Sequence, residues 1–264
     1  MLYNGNSVIF KIGNSNRMYF NGNVVYQGYS NEKTLPDVPF MFNYNAKNYS
    51  NGIITNTEGA IFAEDMKLTG LSNVVPMGDY LEINGFSPYT YSFDSVDANP
   101  FNRSSNNSKL TIISKCSTPS GDFNIFANRS GGGLCYDGDG KLLSYKSGTY
   151  NFMWRQGNVA GAYLHTQNAA YTALNVDCDL NKPNIIAVRC TDGDMGYIQN
   201  YTTGVIGKTG SVGFGTNRGA SRFQILGGST DRENFLGEFY WLYVSLEELT
   251  DEQIQQVIDY NEGL

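Results

Sequence analysis

The sequence predicts an all-β protein: a two-sheet antiparallel jelly-roll sandwich with one short C-terminal helix and a small N-terminal β segment. Three observations predict it. Short aromatic and β-branched runs recur between Gly, Asn, Asp and Ser clusters along all 264 residues, 30 of which are Gly, a spacing that suits strands joined by turns. Aromatic residues reach 14% while charged residues make up only 16%, a balance typical of all-β domains. A single helical stretch follows the strands, which argues for a sandwich with a helical latch and against an α/β alternation.

The closing element is the most informative. Residues 235–246 alternate, with Phe239, Trp241, Tyr243 and Ser245 on one face and Tyr240, Leu242, Val244 and Leu246 on the other. Both faces are largely apolar, so the strand is expected to be buried on both sides, with Trp241 in the core. Thr250 and Gln253 form a Thr-x-x-Gln capping box, and Asp251 and Glu252 place negative charge at the helix's positive end. Ile254, Val257 and Ile258 give the helix a narrow apolar stripe for docking on the sandwich.

Residues 1–39 differ from residues 40–264, and the two stretches read as an N-terminal segment with its linker and a sandwich domain. Leu2-Tyr-Asn-Gly-Asn-Ser-Val-Ile9 and Met18-Tyr-Phe-Asn-Gly-Asn-Val-Val25 repeat an aromatic residue, Asn-Gly-Asn and a β-branched apolar pair. Asn-Gly favours type I′ turns, so each copy reads as a hairpin. Residues 27–39 lack periodicity and carry Pro36 and Pro39, the mark of a linker. A segment of about thirty residues holds no large core, so it is expected to dock on the main domain or to pair with another chain, a second copy included.

From residue 40 onward, strand candidates fall at 40–44, 80–83, 89–93, 109–116, 123–128, 133–136, 142–145, 150–155, 162–165, 184–189, 196–199, 211–214, 222–226 and 235–246. Residues 45–79 read as a long loop with one or two short strands. Strands this short and numerous bury their inner faces only as two stacked sheets.

Composition excludes several partners. A net charge of −7 with no Lys/Arg run argues against nucleic acid. No stretch of eighteen apolar residues occurs, so no membrane-spanning helix is expected. The first residues lack the basic head and apolar core of a signal peptide, so the chain is expected to fold in a cytoplasm before any place in a virion or outside the cell. Cys116, Cys135, Cys178 and Cys190 are far apart and form no Cys-x-x-Cys. Buried free thiols are the expected state, with Cys178–Cys190 or Cys116–Cys135 disulfides left open by spacing.

With the strands placed, residues 40–262 resemble the laminin-G-like, concanavalin A-like lectin/glucanase superfamily. Gly78-Asp-Tyr-Leu-Glu-Ile83 matches its early strand, and Lys109-Leu-Thr-Ile-Ile-Ser-Lys115 the strand that opens the core. Phe123-Asn-Ile-Phe-Ala127, residues 131–136 and Lys141-Leu-Leu-Ser-Tyr145 match the central meander. Asn184-Ile-Ile-Ala-Val-Arg189 with Thr191-Asp-Gly-Asp194 and Gly196-Tyr-Ile-Gln-Asn200 match a family hairpin, although Gly204 is displaced from its usual place and the turn is longer. Leu236-Gly-Glu-Phe-Tyr-Trp-Leu-Tyr243 with Leu249-Thr-Asp-Glu-Gln-Ile254 is the most specific match. Separately, Ile12-Gly-Asn-Ser-Asn-Arg-Met-Tyr-Phe-Asn-Gly-Asn-Val-Val-Tyr26 resembles short segments of phage tail proteins. Together the resemblances imply a non-catalytic carbohydrate-binding or adhesion module, tail-associated in a phage or prophage virion. The alternatives are a structural virion protein that binds other subunits, and a divergent glycoside hydrolase.

Retaining hydrolases of this superfamily carry alternating carboxylates on one strand, flanking the scissile bond at about 5 Å. Here Glu238 alternates with Leu236, Tyr240 and Leu242, so the chain is not expected to be an enzyme. The single histidine, His165, argues against a multi-His zinc site and weakens any Ser-His-Asp arrangement. No cofactor is expected. Asp137/Asp139, Asp177/Asp179 and Asp192/Asp194 are Asp-x-Asp pairs whose oxygens suit Ca²⁺, but each is read first as turn chemistry. Sugar recognition needs an aromatic face and hydroxyl-gripping polar groups. Trp154, Arg155, Gln156 and Asn158, with Tyr136, Asp137 and Asp139 of a neighbouring hairpin, are the expected ligand residues, against the plainer role of Trp154 as half-buried packing.

Overall fold

The computed structural model describes side chains for residues 33–84, 89, 91, 92, 94, 109–117, 176–178, 182–191, 194–207, 225, 226 and 235–263, and backbone alone for the other strands named below. The chain falls into two compact units, residues 1–37 with 251–264, and residues 38–250.

In the first unit β1 (Leu2–Asn4), β2 (Ser7–Ile12), β3 (Ser15–Phe20) and β4 (Asn23–Tyr29) form an antiparallel meander in chain order. Asn4 pairs with Ser7 and Phe20 with Asn23, so antiparallel strands flank both Asn-Gly-Asn copies, in keeping with the turn preference of Asn-Gly. The same unit holds α1 (Asp251–Glu262), with Asp251 and Glu252 in its first turn and Ile254, Val257 and Ile258 buried. Asn261 is buried as well, and its Nδ2 donates to the Val257 carbonyl at 3.0 Å.

The second unit contains β5 (Phe40–Ser50), β6 (Ile53–Asn56), β7 (Met66–Lys67), β8 (Val74–Pro76), β9 (Leu81–Asn84), β10 (Tyr89–Ser92), β11 (Lys109–Ser117), β12 (Asp122–Arg129), β13 (Leu134–Tyr136), β14 (Leu142–Tyr145), β15 (Thr149–Gln156), β16 (Val159–His165), β17 (Tyr171–Asp177), β18 (Asn184–Thr191), β19 (Met195–Asn200), β20 (Val205–Ile206), β21 (Gly210–Ser211), β22 (Arg222–Ile225) and β23 (Leu236–Ser245). The larger sheet runs β20-β19-β18-β11-β23-β5-β6-β7, with β21 on β19 and the β8–β9 ladder on β23. The smaller runs β10-β22-β12-β15-β16-β17, and β13 pairs with β14 alone. The antiparallel β-sandwich expected from sequence is the architecture observed.

Strand alternation builds the core between the sheets. Phe42 and Tyr44 of β5, Ile112 of β11, Val188 of β18 and Leu242 of β23 share one buried apolar cluster with Tyr89, Val176 and Ile225 of the smaller sheet. Tyr44 meets Tyr89 edge-on at 6.4 Å, and Phe62 meets Tyr91 at 4.6 Å. The Tyr44 hydroxyl donates to the Glu64 carbonyl at 2.8 Å. Burial pushes the Tyr44 and Tyr89 hydroxyls well above the ordinary tyrosine range. Cys116, Cys178 and Cys190 are buried free thiols, so neither disulfide considered from spacing forms.

Residues 45–79 are more ordered than their composition suggests. β5 continues to Ser50, turns at Asn51 (φ 50) and Gly52 (φ 88), and returns as β6. Two successive positive φ values are what an Asn-Gly turn supplies, and the dipeptide was visible in the sequence. β17 is a further strand that the sequence reading leaves out.

The longer turn after β19 is held by one buried side chain. Asn200 donates from Nδ2 to the Asp177 carbonyl at 3.0 Å and to Asn184 Oδ1 at 2.9 Å. Its Oδ1 accepts from the Thr202 and Thr203 amides at 3.0 and 3.3 Å. Gly204, with φ 74, completes the turn in a conformation that favours glycine.

Candidate functional site

Of the sequence-predicted ligand residues, the four that are described fall on two different ladders. β15 continues past Trp154 to Gln156, so Trp154 is paired on both sides, with Asn124 of β12 and Gly161 of β16. Arg155 pairs with Phe123 and Ala160, and Gln156 with Asp122 and Val159. Alternation puts positions 154 and 156 on one face of the sheet and 155 on the other. Asn158 lies outside the described residues. Tyr136 ends β13, opposite Leu142, and Asp137 and Asp139 lie outside the described residues.

Of the other Asp-x-Asp positions, Asp177 is exposed and Asp194 caps its own turn, with Oδ1 accepting from the Met195 amide at 2.8 Å. Asp179 and Asp192 lie outside the described residues. Among the described residues no group of three His, Cys, Asp or Glu side chains is placed to hold a metal ion.

A second polar–aromatic surface emerges from β23, and it begins with a departure from the expected alternation. Against β11, Lys115 pairs with Trp241 and Cys116 with Phe239, so Tyr240 is a bulge. The extra residue shifts the faces by one. Phe239 therefore joins Leu242 and Val244 in the core, while Tyr240 is half-buried and leaves their side. At the same point β23 exchanges one neighbour: residues 241–245 pair with β5, and residues 236–239 pair with β9.

Around the bulge, the face turned away from the core collects side chains from four strands. Glu238 is the direct partner of Glu82, which in turn partners Val75; Leu236 partners Asn84. The Tyr240 hydroxyl donates to Glu238 Oε2 at 3.1 Å, and Asn84 Nδ2 donates to Glu82 Oε1 at 3.2 Å. The Tyr240 ring lies 5.1 Å from that of Tyr80, tilted by 33°. The Lys115 ammonium stands 4.6 Å from the Tyr240 centroid, a cation–π arrangement. Val75 is 42% and Leu236 37% exposed, giving the patch an apolar rim. Lys47 and Asp79 form an exposed ion pair at 3.8 Å, one residue from Tyr80.

This surface combines what a sugar requires: ring faces for C–H groups, and carboxylate, carboxamide and ammonium groups for hydroxyls. Sequence reasoning missed it because it looked for a second carboxylate along the strand of Glu238. Glu82 comes from across the ladder, and cross-strand register is not written in either strand's own pattern. The one signal available was the Leu81-Glu82-Ile83-Asn84 alternation, which marks Glu82 and Asn84 as facing away from the core.

The sequence matches no protein-family model and none of the curated proteins. Solved structures do resemble the fold. A Trypanosoma rangeli sialidase in complex with 2,3-difluorosialic acid, as a covalent intermediate, aligns with 85% of this chain and 33% of its own at 11% identity, TM-score 0.56. The binding domain of botulinum neurotoxin DC in complex with SialylT aligns with 88% of this chain and 52% of its own at 12% identity, TM-score 0.54. The binding domain of botulinum neurotoxin serotype D aligns over 85% and 52% at 10% identity, TM-score 0.53. The chain spans about half the length of the toxin structures and a third of the sialidase, and identities this low speak to a shared β-sandwich fold.

Proposed function

We propose that this protein is a non-catalytic carbohydrate-binding or adhesion module that recognises a cell-surface glycan. The observation that carries the reading is the outward face of β11, β23, β9 and β8. There, two tyrosine rings 5.1 Å apart adjoin two carboxylates, a carboxamide and an ammonium. Likeness of the sandwich to a toxin binding domain in complex with SialylT and to a sialidase adds support at the level of fold. The strip of Trp154, Arg155, Gln156 and Asn158, with Tyr136, Asp137 and Asp139, is the other locus proposed for ligand.

We place the protein in a phage or prophage virion, associated with the tail, on the resemblance of residues 12–26 to tail-protein segments. The four-stranded N-terminal meander then serves attachment or self-association. A structural virion role without glycan binding is the alternative.

A glycan array tests the central reading. Retention that falls with Tyr240→Ala or Trp154→Ala supports it and says which locus binds. A stable particle-bound form that retains no glycan would favour the structural role.

One observation favours a second reading. Glu82 stands directly opposite Glu238, and paired carboxylates about 5 Å apart are what retaining glycoside hydrolysis uses. Hydrolysis of a β-glucan that is abolished by Glu238→Gln would replace the binding reading with an enzymatic one.

A further inference from the structure

We infer that the Tyr80–Tyr240 face selects sugars bearing a free ammonium group, hexosamine units without their N-acetyl cap, and disfavours sialylated glycans. The inference rests on the glycan-binding reading above and names the class of ligand. Its basis is the charge pattern of the face. As direct cross-strand partners, Glu82 and Glu238 hold their Cβ atoms about 4.5–5.5 Å apart, and like charges so placed repel.

The groups that meet these carboxylates are neutral donors, the Tyr240 hydroxyl and the Asn84 carboxamide. Neither carboxylate forms an ion pair among the described residues. With Lys47 set against Asp79, and Lys115 against the two glutamates, the face keeps a net negative charge. That charge is on the open end of the sheet, where Val75 and Leu236 are exposed.

An ammonium seated between Glu82 and Glu238 relieves their repulsion and donates a charge-assisted hydrogen bond to each. The same sugar's C–H groups then lie against the tyrosine rings, whose π faces also attract the cation. The carboxylate of a sialic acid at the same place meets two like charges. The chemistry that fits is therefore a deacetylated hexosamine.

The test is titration calorimetry at low ionic strength with three probes: a chitosan oligosaccharide, its fully N-acetylated counterpart, and sialyllactose. Chitosan is expected to bind roughly five-fold more tightly than the acetylated oligomer, with the ratio shrinking as salt is added, and sialyllactose is expected to bind weakest. The double variant Glu82→Gln/Glu238→Gln is expected to erase the chitosan-to-acetylated ratio. Lys109→Met, remote from the face, keeps it. Equal affinity for the two oligomers, or a preference for sialyllactose, overturns the charge inference and leaves glycan binding standing. Binding of poly-lysine but not chitosan, with the same dependence on the glutamates, overturns it in favour of a basic protein partner. No binding to these probes or to any glycan on an array overturns both readings.

Discussion

Two halves of one strand behave differently. Over residues 241–245, β23 lies between β11 and β5, and both faces are closed: Leu242 and Val244 sit in the core, while Trp241 and Tyr243 are buried on the other side. Over residues 236–239 it pairs with β9, and with β11 only at Glu238 and Phe239; Phe239 is buried inward while Glu238 and Leu236 face outward and are partly exposed. A bulge at Tyr240 separates the halves. The lesson is that apolar alternation tells how many faces a strand could bury, while the neighbouring strands decide which of them becomes a surface.

The largest expected effect tests the closed, core-facing side. Phe239→Ala removes a side chain of 0% exposure from the core and is expected to cost about 3–5 kcal/mol, read as a drop in the urea midpoint with an unchanged m-value. A loss below 1 kcal/mol would mean that Phe239 does not belong with Leu242 and Val244, and the bulge would lose its meaning.

The next is alkaline. Burial pushes the Tyr243 hydroxyl up, a shift partly offset by the nearby Ser245 side chain, and Tyr44 and Tyr89 are raised by burial too. Below about pH 10 these groups are protonated in both states and stability is unaffected. Above it the unfolded chain ionises first, so stability falls by up to about 1.4 kcal/mol per pH unit for each such tyrosine, until its raised folded value is passed. Denaturation curves from pH 9 to 11.5 follow this directly, and Tyr243→Phe is expected to flatten the slope.

Tyr240→Ala, in the open half, is expected to cost less than about 1 kcal/mol, since its ring is half-exposed and its hydroxyl bonds a surface carboxylate. The accompanying loss of glycan retention separates a binding residue from a structural one. A cost near that of Phe239→Ala would erase the contrast between the halves.

The smallest effect has the opposite sign. Glu238→Gln relieves the repulsion with Glu82 and is expected to raise stability by a few tenths of a kcal/mol in low salt, with the gain screened away at high salt. A clear destabilisation would show that the pair holds the sheet together.

Much of the fold was legible because it is written locally. The strand at 109–117, the hairpin at 184–200 and the helix at 251–262 all announce themselves through alternation, turn residues and caps. Asn51-Gly52 marks the β5–β6 turn equally plainly, within a stretch that otherwise lacks rhythm. The site was harder. Glu82, Lys115 and Tyr240 lie on three strands with Tyr80 just ahead of β9, and Glu82 and Glu238 are more than a hundred and fifty positions apart in sequence while being direct neighbours in the ladder.

The sequence by itself determined the class of fold, the run of strands and the helix that follows them, because side-chain periodicity and turn chemistry act within a few residues of the chain. Only the tertiary structure decided the bulge at Tyr240, the exchange of β5 for β9, and the meeting of Glu238 with Glu82. Register across a sheet is set by how all the strands share one core, and no single strand carries that information.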